Sequence, residues 1–238
     1  FTTTRKSAEL IKYASNAFLA TKITFINEIA NLCEAADINV EDISVGIGTD
    51  ARIGSRFLRA GPAYGGSCFP KDTRGLVSIA DKFKTNLSIV KSVIKSNQNR
   101  KILLTKKIKK ILNNNLKNKK IAVLGVTFKA NTDDMRESSS LILIPYLIKN
   151  GAIVKYYDPS GPKKDFKNNK KLKFERTLVK ACKGADLIVI NTEWDEFKSI
   201  DFKKIVGKNN FKIYDMRNLY NPKELRKKNI KYYSIGRL

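Results

Sequence analysis

The chain has 238 residues, 42% of them hydrophobic, enough for one large or two modest domains with cores of their own. It carries 47 lysines and arginines against 22 acidic residues and no histidine, which excludes a histidine base, a histidine metal ligand and a Ser-His-Asp triad. Cys33, Cys68 and Cys182 are widely spaced, so neither a disulfide framework nor a cysteine metal site is expected, and the pattern fits a reducing cytoplasm.

No run of about 18 apolar residues and no basic-then-apolar leader is present, so neither a membrane span nor export is expected. The first residue is Phe1, which suggests a chain cut from a longer polypeptide.

In chain order, Leu10, Ala14, Phe18, Ile23, Ile26, Ile29 and Ala30 recur at helical spacing and predict a largely buried helix from Ser7 or Glu9 to Asp37. A short helix over 40–47 follows, then a glycine-rich loop over 46–66. A helix resumes at 72–83, with Asp72 as its N-terminal cap.

Between them lies the segment Gly65-Gly66-Ser67-Cys68-Phe69-Pro70-Lys71-Asp72. A thiolate is a strong nucleophile, and a neighbouring ammonium favours it over the thiol. Two glycines let the backbone approach a ligand closely, and proline fixes where Lys71 and Asp72 stand.

A long amphipathic helix is predicted over 87–116, about 45 Å long, suited to connecting domains and to a subunit interface. From Lys82 to Thr132 there are 14 basic residues and no acidic one. That invites the alternative of a basic nucleic-acid-binding module. However, the lysines lack interleaved aromatics and read as a solvated face, so no nucleic-acid partner is expected.

After Lys120 the pattern becomes strand–helix alternation, with strands at 121–124, 153–157, 187–190, 213–214 and 232–233. This predicts a doubly wound parallel sheet, an α/β fold. Its first turn has Gly125 but no Gly-x-Gly-x-x-Gly fingerprint. Ligand is expected at the strands' carboxyl ends, near Thr127, Lys129, Asp158, Thr192 and Arg217. The lysine- and asparagine-rich stretch 163–173 is expected to be an exposed loop. The domains are thus an all-helical middle domain with the cysteine loop (1–86), a long connecting or dimerisation helix (87–117) and a Rossmann-like domain (118–238).

Several segments resemble the nucleotide-sugar 6-dehydrogenases, that is, the UDP-glucose/GDP-mannose dehydrogenase family. These are Gly65 to Asp72, Lys12-Tyr13-Ala14-Ser15-Asn16, Gly125-Val126-Thr127-Phe128-Lys129, Thr132-Asp133-Asp134-Met135-Arg136, Thr192-Glu193-Trp194 and Asp215-Met216-Arg217-Asn218, in the family's order.

The resemblance implies two successive NAD-dependent oxidations that convert UDP-glucose to UDP-glucuronate. Cys68 would carry the thiohemiacetal and thioester, Lys12 and Asn16 would stabilise the reacting oxygen, and Asp72 would act as base through water. It further implies substrate contacts from Phe57, Leu58, Arg59, Ala60, Gly61, Gly65, Lys129 and Arg217, and from Arg52 across a homodimer interface. Lys71 and Arg136 would contact the dinucleotide.

The resemblance covers the family's middle and C-terminal domains only. The N-terminal NAD-binding domain is absent from these residues, so the chain alone is expected to be inactive. A GDP-mannose or UDP-N-acetylmannosamine dehydrogenase is the alternative within the family. Cys68-Phe69-Pro70-Lys71 and Thr192 to Phe197 are more similar to the UDP-glucose type.

Overall fold

A computed structural model describes residues 1–166 and 170–237. The first helix, α1 (Arg5–Ala36), starts where the Thr4 hydroxyl accepts from Ser7 N–H and stops at Asp37, whose φ of 57° is left-handed. Its 32 residues span about 48 Å.

Only one side of α1 is covered. Ala17, Ala20, Ile26, Ala30 and Cys33 are buried, while Ile11, Phe18, Phe25 and Leu32 stand 47–66% exposed at strict seven-residue intervals. The expectation of a largely buried helix is therefore corrected. The helix is apolar nearly all round, but the chain supplies packing partners, chiefly α3 and α4, for one side alone.

Asn39 caps α2 (Val40–Gly48). The next helix, α3 (Cys68–Lys82), begins four residues before its expected start, so Asp72 lies inside it and is no cap. The long helix α4 (Ser88–Ile111) has 24 residues, about 36 Å, and ends earlier than expected. Asn113 and Asn114 both adopt positive φ there, which a helix cannot contain.

The remaining elements alternate: β1 (Lys120–Leu124), α5 (Ser140–Lys149), β2 (Ile153–Tyr157), β3 (Leu172–Phe174), α6 (Leu178–Cys182), β4 (Leu187–Ile190), a 3-10 turn (Asp195–Phe197), α7 (Phe202–Val206), β5 (Lys212–Asp215), α8 (Pro222–Lys227) and β6 (Lys231–Ser234). All six strands are parallel in the order β3-β2-β1-β4-β5-β6. Every residue of β4 is buried, as a central strand covered on both faces requires.

On one face Leu104, Ile108, Leu112 and Leu116 share a core with Ile121, Val123 and Leu147, so α4 packs as a layer on the sheet. That core continues into Ile26, Ala30, Leu58 and Ala60 of the helical part. The other face is filled by Phe197, Phe202 and Phe211.

The stretch 163–173 is not the uniform exposed loop expected. Residues 167–169 lie outside the described residues, but Lys163 is buried, its N–H donating to the Tyr156 hydroxyl at 3.0 Å. Leu172–Phe174 forms strand β3, and Phe166 and Phe174 pack edgewise or tilted on Tyr156 at 5.3 Å. Two phenylalanines and a leucine suffice to pin the segment despite its lysines.

Gly125 marks the switch point between β1 and β4. Its φ is 75°, and a Cβ there would stand 2.4 Å from Thr192 Cβ. Gly125→Ala combines a left-handed backbone with a steric overlap, and should lower the unfolding free energy by roughly 2–5 kcal/mol in urea titrations.

Candidate active site

Cys68 opens α3 and is exposed, whereas Cys33 and Cys182 are buried. As the first residue of a helix it stands at the positive end of the macrodipole. Gly66 N–H donates to Arg136 O at 2.7 Å, and a Cβ on Gly66 (φ 79°) would meet the Phe128 ring at 2.7 Å. A Cβ on Gly65 would meet Glu137 O at the same distance. The glycine pair thus admits close approach of the turn after β1 rather than simply clearing space for a ligand.

One helical turn into α3, Asp72 is wholly buried. Asn16 Nδ2 donates to its Oδ2 at 2.6 Å, and the Lys71 ammonium bonds Oδ1. Burial pushes the Asp72 pKa up. The hydrogen bonds from Lys71 and Asn16 and the charges of Lys71 and Lys12 outweigh it, and the net shift is downward. Lys71 shifts upward, chiefly through its bond to Asp72, with the charges of Asp72, Tyr13 and Cys68 adding to it, and its ammonium lies 5.6 Å above the Tyr13 ring.

Lys12 is exposed on α1, one turn before Asn16. Arg136, exposed and paired with Asp134 at 2.8 Å, is shifted upward by that carboxylate and further by Cys68. The structure therefore brings Cys68, Lys71, Asp72, Asn16, Lys12 and Arg136 into one electrostatic neighbourhood.

Beside this cluster lies a cleft of about 480 Å³ between the 55–65 loop and the carboxyl ends of the strands. Phe57, Arg59, Gly61, Gly65, Lys129 and Arg217 all line it, with Glu193 and Phe69. Leu58 and Ala60 do not line it; they are buried in the core shared with the sheet. Arg52 is outside the lining, exposed and paired with Asp50 at 2.6 Å.

Three side chains hold the loop that floors the cleft and a fourth, Glu137, ties the neighbouring turn to the helices; sequence reasoning named none of them as site residues. Asn27 Oδ1 accepts from Gly61 N–H and Arg100 Nε donates to Gly61 O, both at 2.8 Å. Asn97 brackets Tyr64 like a strand partner, accepting from its N–H at 2.9 Å and donating to its carbonyl at 3.0 Å. Glu137, with φ of 55°, joins Arg74 of α3 at 3.0 Å and the buried Lys101 of α4 at 2.9 Å. The available signal was the placement of Asn97, Arg100 and Lys101 on the inward stripe of an amphipathic helix, where polar residues are uncommon.

The sheet's own switch point is tightly packed. Thr192 fills the space over Gly125, and Asp158 accepts from Val126 and Thr127 N–H, at 2.7 and 3.3 Å. Lys71 and Arg136 are exposed beside Cys68.

Asp72 contributes stability that is present above its unfolded pKa, near 3.9, and is lost as pH falls through its lowered folded value. The destabilisation caused by Asp72→Asn should accordingly be greatest near neutral pH and shrink towards pH 3 in paired denaturation curves.

Comparison with known proteins then gives the chain's relationships. Residues 6–99 match the central domain of the UDP-glucose/GDP-mannose dehydrogenase family, and residues 122–222 match its UDP binding domain. A UDP-glucose 6-dehydrogenase of Rhizobium meliloti is 48% identical over 99% of this chain, and one of Rickettsia typhi is 45% identical over 97%. The chain spans about half the length of these relatives, 54% of each.

A UDP-glucose dehydrogenase structure from Pyrobaculum islandicum superposes with a TM-score of 0.85 at 29% identity, covering 98% of this chain and 51% of that one. A UDP-D-ManNAc dehydrogenase from Pyrococcus horikoshii gives a TM-score of 0.83 at 28% identity, covering 100% and 53%. The cysteine turn, the buried Asp72 and the cleft above the parallel sheet thus stand in a chain that belongs to the UDP-glucose/GDP-mannose dehydrogenase family.

Proposed function

We propose that this chain is the catalytic-thiol and UDP-sugar-binding part of an enzyme that oxidises UDP-glucose to UDP-glucuronate. The observation that carries the reading is the exposed Cys68 at a helix start, one turn from a buried Asp72 bonded to Asn16 and Lys71.

Lys129, Arg59 and Arg217 supply positive charge in the cleft for the diphosphate, and Phe57 supplies an apolar wall. Lys12 and Asn16 face the same end of α3 and stabilise negative charge on the sugar oxygen as its proton leaves through water to Asp72. At the aldehyde stage the Cys68 sulfur forms a bond to the carbonyl carbon, and the oxygen takes a proton to give a thiohemiacetal. Loss of a hydride and a proton from that adduct leaves a thioester; water cleaves it, releasing the acid and the thiol. Each of the two oxidations needs its own nicotinamide dinucleotide as hydride acceptor, and Lys71 and Arg136 would hold each in part.

Because these residues match the central and UDP binding domains of the family, the isolated 238 residues should bind UDP-glucose without forming NADH. In the whole protein, Cys68→Ser should abolish UDP-glucuronate formation; ordinary turnover by that variant would overturn the thioester route. Parallel assays with GDP-mannose and UDP-N-acetylmannosamine fix the sugar.

The working unit in this reading is a cytoplasmic homodimer. Among the described residues no helix is long and apolar enough to cross a membrane. The seam Ile11, Phe18, Phe25 and Leu32 on α1 offers a self-complementary stripe, and it gives the interface expected through the middle domain and the long helix a specific surface in the former. Arg52, exposed outside its own cleft and paired with Asp50, would then exchange that carboxylate for the partner subunit's sugar pocket. Phe18→Glu combined with Phe25→Glu should yield monomers in sedimentation velocity runs, and an unchanged dimer would rule out this seam.

A further inference from the structure

Arg217 is the most constrained cation in the cleft. Its backbone N–H donates to Oδ1 of the buried Asp215 at 2.9 Å. Its Nε donates to Asn191 O and its Nη2 to Phe128 O, each at 2.9 Å. Glu193 Oε2 lies 2.7 Å from Nε as an ion pair, the only one of Glu193 among the described residues. The Nε–H itself is directed at Asn191 O, so the carboxylate acts on the guanidinium through charge and contact rather than through a hydrogen bond.

The remaining nitrogen, Nη1, donates to nothing among the described residues. It points at the loop flooring the cleft, 3.7 Å from where a Cβ on Gly61 would be. Burial lowers the Arg217 pKa, the Glu193 and Asp215 carboxylates oppose that shift, and the like charge of Arg59 adds to it. Three guanidiniums, of Arg56, Arg59 and Arg217, thus line the cleft with a single carboxylate, Glu193, which lies between β4 and the 3-10 turn.

We infer that Glu193 is a positioning residue: its carboxylate fixes the Arg217 guanidinium so that Nη1 is presented to the diphosphate of the bound nucleotide. The inference rests on the reading that the cleft takes a nucleoside diphosphate sugar. Its chemical content is a sign. A carboxylate in the wall of an anion site repels the ligand directly, so simple charge counting makes Glu193→Gln a tighter binder. Glu193 as the group that orients Arg217 makes the same variant a weaker one, because a mis-aimed guanidinium loses a charge-assisted hydrogen bond to phosphate.

The test is titration of the protein with UDP by calorimetry and with uridine by NMR, for wild type, Glu193→Gln, Glu193→Asp, Arg217→Ala and the double variant Glu193→Gln/Arg217→Ala. Glu193→Gln should weaken UDP about tenfold and leave uridine unchanged. Glu193→Asp should recover part of the loss, and the double variant should bind UDP no more weakly than Arg217→Ala alone. Equal or tighter UDP binding by Glu193→Gln overturns the inference, as does an equal loss for uridine, which marks a general structural defect. Wild-type protein that fails to bind UDP overturns the cleft reading itself, and the inference with it.

Discussion

The contact on which the site depends is the seating of Gly65 and Gly66 against Phe128 and Glu137. A side chain at either glycine would fall within 2.7 Å of an atom of the turn after β1, and the Gly66 N–H bonds Arg136 O in the same place. The cysteine helix thus starts from a backbone hydrogen bond to the α/β part, and Arg136, the residue supplying that carbonyl, also carries one of the two cations beside Cys68. Catalytic geometry tolerates little displacement, since reacting atoms must be held within a few tenths of an ångström. A direct backbone-to-backbone link between the two parts meets that demand better than a long side-chain bridge.

The cleft floor is built on the same logic with polar side chains in place of glycine. The 55–65 loop has no regular hydrogen-bond ladder, so its buried N–H and C=O groups need partners from elsewhere. Asn27, Asn97 and Arg100 provide them from two helices, and Glu137 ties both α3 and α4 to the turn that carries Lys129. Ala63 is held at φ of 115° within this loop, a backbone conformation that persists only where surrounding bonds over-determine it.

The sheet was legible in the sequence because continuous apolar runs such as Leu187–Ile190 admit few other readings, and the parallel α/β fold followed from their alternation with helices. Strand β3 was not, because three residues flanked by lysines carry no period. Its identity comes from Phe166 and Phe174 packing on Tyr156, a tertiary effect. The start of α3 was misplaced because the segment after the glycine pair was read as loop up to Asp72, although proline is well tolerated in the first turn of a helix and Pro70 lies there. For the cleft, it was the resemblance to the nucleotide-sugar dehydrogenases that pointed to Phe57, Arg59, Gly61, Gly65, Lys129 and Arg217. It could not show that the intervening Leu58 and Ala60 turn inward, since an irregular loop has no fixed side-chain alternation. Asn97, Arg100 and Glu137 were hidden among the many polar residues of α4 and its neighbours.

One local pattern unites three of the arginines. In Asp50-Ala51-Arg52, Asp134-Met135-Arg136 and Asp215-Met216-Arg217, the aspartate Oδ1 accepts the arginine's own N–H at 2.8 to 2.9 Å. In the first two, the same carboxylate also takes the guanidinium, through Nε and Nη2, and the side chain folds back at the surface. At Asp215 the other oxygen is already committed to Leu219 N–H, Tyr220 N–H and the Tyr232 hydroxyl in the interior. The guanidinium of Arg217 is thereby released from its own turn and reaches across to Asn191, Glu193 and Phe128. The same Asp-x-Arg pattern thus yields two surface cations, held close to home, and one cation built into the cleft. What separates them is the burial of Asp215, a property set by the end of β5 and by Tyr232 of β6 rather than by the motif.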